Sequence, residues 1–243
     1  MNKIVIGIVA KHGDLSKIRP DTLIRDEIKD AVFYNGAVAI GIIPSMKKIT
    51  LVGPRNETEI YQNLDKIFSK KEIENMVAQI EMCDGIILSG GIASDAYEVW
   101  IAKYCHENNI PILAVCAGEN NLVRAVGGTT KMVDDVEYHD QQAKEYVHSI
   151  SVESGSLLHK MIEKEKIEVN SRHKRVIDNP SILQVSATDE HGNIEAVEDK
   201  SKVCFMGLRF HPESLYLTDE NHNNIIKKFI EICSDAKREN LHL

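Results

Sequence analysis

At 243 residues the chain is long enough for one large α/β domain with a substantial core. Its 43% apolar share reads as an ordinary globular protein, and a net charge of −8 without any basic run or basic–aromatic interleaving argues against a nucleic-acid surface. Five scattered cysteines form neither a disulfide framework nor a Cys-x-x-Cys metal spacing, no apolar stretch approaches membrane-spanning length, and the N-terminus lacks a signal-peptide pattern, so a cytoplasmic protein without membrane contact is expected.

Ile4 to Ala10 is a continuous apolar run, the pattern of a parallel strand covered on both faces. A loop from Lys11 to Pro20 follows. Asp21 then opens a helix to about Asn35, with Leu23, Ile24, Ile28 and Val32 at helical spacing and Asn35-Gly36 as its stop. Ala37 to Ile43 is a second strand, closed by Pro44, and Met46 to Lys71 reads as a loop with a helical turn or two. A helix from about Lys71 to Met82 leads into a strand over Gly85–Leu88, and a helix from about Ser94 to Glu107 leads into the strand before Cys116. Beyond the helix after Cys116, Gly127-Gly128 starts a β-rich section: Thr129 to Val133, Tyr146 to Val152, Ile167 to Val169, Leu183 to Thr188, Ile194 to Val197 and Val203 to Arg209. A terminal helix covers about Asp219 to Asp235. Alternating strands and helices in the first half imply a parallel sheet with right-handed crossovers, with reactive groups at the carboxyl ends of its strands. No repeat, low-complexity segment or linker divides the chain, so residues 1–243 are expected to form a single domain.

Two short stretches carry the chemistry. In Ile110-Pro-Ile-Leu-Ala-Val-Cys116-Ala-Gly118 an apolar strand ends on a cysteine with small residues two positions to either side. That is a near-form of the nucleophile elbow, which sets the sulfur above the sheet at a helix N-terminus, where thiolate is favoured. The alternative is a core cysteine. In Gly207-Leu-Arg-Phe-His211-Pro212-Glu213 another apolar strand ends on His-Pro-Glu. Pro212 holds His211 extended, so His211 and Glu213 face the same side and the carboxylate can orient the imidazole. The alternative is a strand-end histidine beside a solvated glutamate. Together the two stretches make a Cys116–His211–Glu213 triad. Ser89-Gly90-Gly91 is either an ordinary turn or the source of a glycine N–H that joins Ala117 N–H in an oxyanion hole. The other four cysteines, Cys83, Cys105, Cys204 and Cys233, read as packing residues. His139 and His148 could approach the cleft, as could His12 and Asp14, but a lone histidine is more often structural, and none is assigned a role.

The sequence resembles the class I glutamine amidotransferase-like superfamily and, within it, the γ-glutamyl-γ-aminobutyrate hydrolase group, peptidase family C26. The matching stretches are Asp84-Gly-Ile-Ile-Leu-Ser-Gly-Gly91, Asn109 to Gly118, Gly127-Gly-Thr, Val169-Asn-Ser-Arg-His173, Ile194-Glu-Ala-Val-Glu198 and Phe210-His-Pro-Glu213, in the family's order. The resemblance implies a flavodoxin-like three-layer fold with a mostly parallel central sheet and a β-rich second half. It implies catalytic Cys116, His211 and Glu213, an oxyanion hole from Gly90, Gly91 and Ala117, and a glutamyl pocket with Asn120, Asn170, Ser171 and His173; Arg172 is left unassigned. The chain departs from the usual Gly-x-Cys-Arg-Gly-x-Gln elbow at Ala114, Ala117 and Asn120, and Lys174 replaces a second histidine. Ala114 is tolerated at negative φ, Ala117 keeps its backbone N–H, and the shorter Asn120 alters the fit to a glutamyl group.

The expected reaction is hydrolysis of a γ-glutamyl amide through a thioester, with no metal and no organic cofactor. Two other readings stay open: a glutaminase subunit supplying ammonia to a separate synthetase, and a binding or regulatory protein with little turnover. The small-molecule partner is then a γ-glutamyl amide or glutamine, and the sequence leaves a homo-oligomer or a synthetase partner open.

Overall fold

A computed structural model describes residues 3–13, 21–44, 63–91 and 95–240. In chain order the first half comprises β1 (Val5–Val9), β2 (Lys11–Gly13), β3 (Asp21–Leu23), α1 (Asp26–Tyr34), β4 (Val38–Ile42), α2 (Leu64–Ile67), α3 (Lys70–Ile80), β5 (Gly85–Leu88), α4 (Ala96–Glu107), β6 (Ile112–Val115) and α5 (Ala117–Ala125). The second half adds β7 (Thr129–Met132), α6 (Val136–His139), β8 (His148–Val152), α7 (Leu157–Ile162) and β9 (Lys166–Val169). It closes with β10 (Arg175–Asn179), β11 (Gln184–Asp189), β12 (Ile194–Glu198), β13 (Phe205–Leu208), a 3₁₀ turn at Pro212–Ser214 and α8 (Glu220–Asn240).

Nine strands form one sheet in the order β4-β1-β5-β6-β13-β12-β11-β8-β9. The run from β4 to β13 is parallel, and β12, β11, β8 and β9 continue it antiparallel. Period-two alternation distributes the parallel strands' side chains over two cores. Ile6, Ile8, Ile87, Leu113, Met206 and Leu208 pack with Ile28 and Val32 of α1 and Ile225 and Phe229 of α8. Ile86, Leu88, Ile112, Ala114 and Phe205 pack with Met76 of α3, Val99 and Ile101 of α4, and Leu122 of α5. These are the helix–sheet–helix layers of the expected α/β fold.

Some boundaries differ from expectation. Asp21 does not open a helix: Asp21–Leu23 pairs antiparallel with Lys11–Gly13, and α1 begins after an extended Arg25 (φ −72°, ψ 140°). Asp26 and Glu27 then supply negative charge to its first turn, which suits the helix dipole. Ser69 starts α3 through a capping box with Glu72, one residue before the expected start. Short α6 and α7 and the β7–β10 pair interrupt the β-rich section, and α8 runs past Asp235 to Asn240. Of the expected loop between Met46 and Lys71, residues 46–62 lie outside the described residues, as do Asp14 and Ser94. Among the described residues no helix is long and apolar enough to cross a membrane.

Candidate active site

Three neighbouring parallel strands, β5, β6 and β13, end on the same side of the sheet, and their continuations carry Gly90-Gly91, Cys116 and His211. Cys116 occupies the sharp turn between β6 and α5 with φ 52° and ψ −107°, a conformation costly for a side-chain-bearing residue. Its N–H donates to Leu208 O at 2.7 Å, and its carbonyl accepts from Asn120 N at 3.3 Å and Arg209 Nη1 at 3.4 Å. The turn also needs Gly118: a Cβ there would lie 2.3 Å from the Leu88 carbonyl oxygen, so only glycine lets α5 lie this close to β5. Ala114, in place of the usual glycine, sits inside β6 without positive φ, as its tolerance requires.

His211 follows β13, and its Nδ1 meets Glu213 Oε1 at 2.8 Å. The contact forms differently from the expected extended tripeptide. Pro212 begins a 3₁₀ turn, and that turn curls the Glu213 carboxylate back onto the ring. Asn170 clamps the histidine backbone from both sides: His211 N donates to Asn170 Oδ1 at 2.7 Å, and Asn170 Nδ2 donates to His211 O at 2.8 Å. Gly90 makes room for the ring, since a Cβ there would stand 2.5 Å from His211 Cε1.

Burial pushes the Cys116 thiol up, yet the charge and hydrogen bond of His211, with Arg209 behind them, hold it below its ordinary value. For His211, burial favours the neutral ring, but Glu213 and Cys116 outweigh it and raise the imidazole well above its ordinary value. The other thiols move the opposite way. Burial raises Cys83 to about 11 and Cys204 to about 12, and it raises Cys105 and Cys233 as well. All four are free, with Cys83 half-buried and the rest buried, which fits the packing role expected of them.

Cys116 borders a cavity of about 460 Å³ lined also by Gly91, Ala117, Asn120, His173 and Arg209, with Arg172, Lys174 and Arg175 on its wall. Lys174 pairs with Asp140 at 3.3 Å, whereas Arg172 bonds Ser214 Oγ at 2.9 Å and Arg175 bonds Thr130 Oγ1 at 3.1 Å, so the two guanidiniums bring positive charge to the wall. Gly91, Ala117, Asn120 and His173 reach the cavity. Gly90 lies against the imidazole instead. Asn170 and Ser171 are fully buried and do not line the cavity; Asn170 spends its amide on the His211 backbone, and Ser171 Oγ lies 3.4 Å from His139 Nδ1. His12 packs edge-on against Tyr97 and does not reach the cavity.

Sequence reasoning missed Arg209. It is fully buried, ion-pairs with the equally buried Glu119, and donates from Nη1 to Asn120 Oδ1 at 2.9 Å. Asn120, which lines the cavity, is thus held through its amide oxygen by Arg209. A charged residue inside an apolar strand end was the available signal. Gly91 is propped by the buried Lys11, whose ammonium pairs with Glu98. His139, His148 and Glu195 come together with His173 of the cavity wall as a buried cluster.

A profile of the Peptidase C26 family matches residues 92–213, half of the chain and the part that spans the elbow and His-Pro-Glu. The chain belongs to the peptidase C26 family. Its relatives place it among glutamine amidotransferase-like hydrolases of C–N bonds. One is a component of the glutamine-hydrolyzing GMP synthase of Methanococcus aeolicus, 30% identical over 154 residues, which are 61% of this chain and 73% of that one. Another is the gamma-glutamyl-gamma-aminobutyrate hydrolase of Shigella flexneri, 26% identical over 227 residues, covering 88% of this chain and 87% of that one. The chain spans about a third of the length of the CTP synthases it matches. Among solved structures, the glutaminase domain of Trypanosoma brucei CTPS superposes with a TM-score of 0.67 at 16% identity, over 96% of this chain and 94% of that one, and shares the fold.

Proposed function

We propose that this C26 protein is a cysteine-dependent hydrolase of γ-glutamyl amides, with Cys116 as nucleophile, His211 as acid–base and Glu213 as its orienting partner. The observation that carries this reading is a single juxtaposition: a thiol held below its ordinary pKa, on a strained elbow at a helix N-terminus, beside an imidazole braced by a carboxylate. The thiolate attacks the γ-carbonyl carbon, and the C=O electron pair moves onto oxygen. The backbone N–H groups of Gly91 and Ala117 bind that oxyanion, each such donor being worth about 3 kcal/mol of barrier. Collapse breaks the C–N bond as His211 Nε2 gives its proton to the departing amine. Water, deprotonated by the same nitrogen, then attacks the γ-glutamyl thioester and releases glutamate and the free thiolate. Positive charge from Arg172 on the cavity wall suits the α-carboxylate of the glutamyl group, whereas the Arg175 guanidinium already donates to Thr130 through both Nε and Nη2.

Similarity to the Shigella flexneri gamma-glutamyl-gamma-aminobutyrate hydrolase along nearly its whole length supports the γ-glutamyl amide hydrolase reading. Similarity to a GMP synthase component favours, as the second reading, a glutaminase that serves a synthetase. The purified chain, given glutamine and a panel of γ-glutamyl amides with release of ammonia or amine followed, tests the choice. The hydrolase reading expects turnover of an amide without a partner and a higher kcat/KM than for glutamine, since a larger leaving amine offers remote binding energy usable in the transition state. Activity that appears only in cell extract moves the assignment to the glutaminase. Asn120→Gln should shift preference toward plain glutamine if Asn120 contacts the substrate; an unchanged ratio removes it from specificity.

A further inference from the structure

Beside the cavity, four side chains from four separate segments converge: His139 at the end of α6, His148 at the start of β8, His173 after β9 and Glu195 in β12. All four are buried, and one ligand-type atom from each lies within 4.8 Å of the others. Glu195 Oε1 stands 3.5 Å from His173 Nε2 and 3.9 Å from His148 Nε2, too far for hydrogen bonds. Neither ring nitrogen of His148 or His173, and neither oxygen of Glu195, has a hydrogen-bond partner among the described residues. Native proteins rarely bury so many polar atoms in one spot without satisfying them.

These spacings suit a common central ligand. A tetrahedron with edges of about 3.5–4.8 Å has its vertices about 2.1–2.9 Å from its centre, and zinc–imidazole bonds are about 2.0–2.1 Å, so a small contraction closes the site. The donors are imidazole nitrogens and one carboxylate oxygen, with no thiolate, which suits zinc or a neighbouring divalent transition ion better than magnesium or calcium. Asp189 Oδ2 lies 3.5 Å from His139 Nε2, where an outer-shell carboxylate would orient a ligating histidine. We propose that His139, His148, His173 and Glu195 form a structural binding site for one divalent transition-metal ion. Four protein ligands fill a tetrahedral shell, so the ion would tie α6, β8, β12 and the loop bearing His173 together and brace the wall carrying Arg172 and Lys174. The site shares His173 with the cavity wall but involves neither Cys116 nor His211, so metal uptake can be tested separately from turnover.

Untagged wild-type protein, stripped with a chelator, should take up one equivalent of Co(II) with the visible absorption of a tetrahedral nitrogen/oxygen site and no sulfur-to-cobalt charge-transfer band. Zn(II) should displace it and raise the melting temperature. Glu195→Gln and His148→Gln should weaken uptake by at least about tenfold, while Cys116→Ser and the exposed-site control His191→Ala should retain it. No stoichiometric uptake by the wild type overturns the proposal. So does a sulfur-to-cobalt band, loss of uptake in Cys116→Ser or His191→Ala, or full uptake by folded Glu195→Gln and His148→Gln. Should a cluster variant fail to fold by circular dichroism, the wild-type stoichiometry and spectrum decide the question without it.

Discussion

The parallel and antiparallel halves of the sheet are built on different terms. Between β4 and β13 the buried strand positions are nearly all Ile, Leu, Val, Ala, Met and Phe, and order comes from packing. Across β12, β11, β8 and β9, and the loops between them, burial takes in His148, Asn170, Ser171, His173, Ser186, Asp189, Glu195 and Glu198. There order depends on polar groups finding specific partners, as Ser186 Oγ finds Glu198 Oε2 at 2.8 Å. The candidate nucleophile sits on the first half, and much of the cavity wall belongs to the second. The lesson is a division of labour, in which an apolar frame fixes the candidate nucleophile and a polar one shapes the cavity beside it.

Four tests would break or sharpen that contrast. Cys116→Ala should reduce kcat by on the order of 10⁴-fold while the melting temperature stays near wild type, since only a sulfur is removed. Wild-type turnover in this variant, measured with the best substrate of the panel, would end the mechanism. Next in size, the thiols should differ in alkylation rate at pH 7 by at least about a hundredfold, because Cys116 lies below 9.0 and Cys83 is raised to about 11. The sign is fixed by the lowered value: Cys116 labelling should persist on acidification below the ordinary thiol range and fade only as pH falls through its own pKa. Mass-spectrometric mapping of iodoacetamide adducts from pH 5 to 9 reads this, and preferential labelling of Cys83 would reverse the assignment.

Leu113→Ala, in the middle of β6, should cost about 2–5 kcal/mol of unfolding free energy by leaving a cavity in a fully buried site. Urea denaturation measures it, and kcat per folded molecule should stay within a few-fold of wild type if the apolar half acts only as a frame. Asn170→Ala should do the reverse, lowering kcat by about 10–100-fold through loss of both hydrogen bonds to the His211 backbone. KM should change little. A raised KM with intact kcat would instead return Asn170 to the substrate pocket that the sequence resemblance assigned to it.

The uneven legibility of the sequence has the same origin. Cys116 with its small neighbours, and His211 with Glu213, are each encoded within a few consecutive residues, so local spacing exposed them. The strands of the parallel half announced themselves as apolar runs. Arg209 showed only as a charge in an apolar strand end; its place beneath Asn120, Asn170 against His211, and the three histidines around Glu195 arise from register between segments tens of residues apart, such as His148 opposite Val169, which no local pattern encodes. Short α6 and α7, of four and six residues, are too brief to show a helical period. At Asp21, the apolar Leu23 and Ile24 suggested a helix face, but the segment from Asp21 to Leu23 pairs with the chain leaving β1.

One hydrogen bond has a mechanical consequence. Cys116 N to Leu208 O continues the β6–β13 register in which Val115 stands beside Leu208, so the two strands are still laced at the residue where the chain turns away into α5. The gap between sulfur and imidazole is therefore governed by the spacing of adjacent strands, about 4.8 Å and among the stiffest distances in a protein. Among the described residues the segment from Arg172 to Lys174 is held from elsewhere: His173 N donates to His139 O at 3.2 Å, and Val133 N donates to Lys174 O at 3.0 Å. That part of the wall can therefore shift with α6 and the chain after β7, whereas the candidate pair moves only if the sheet shears.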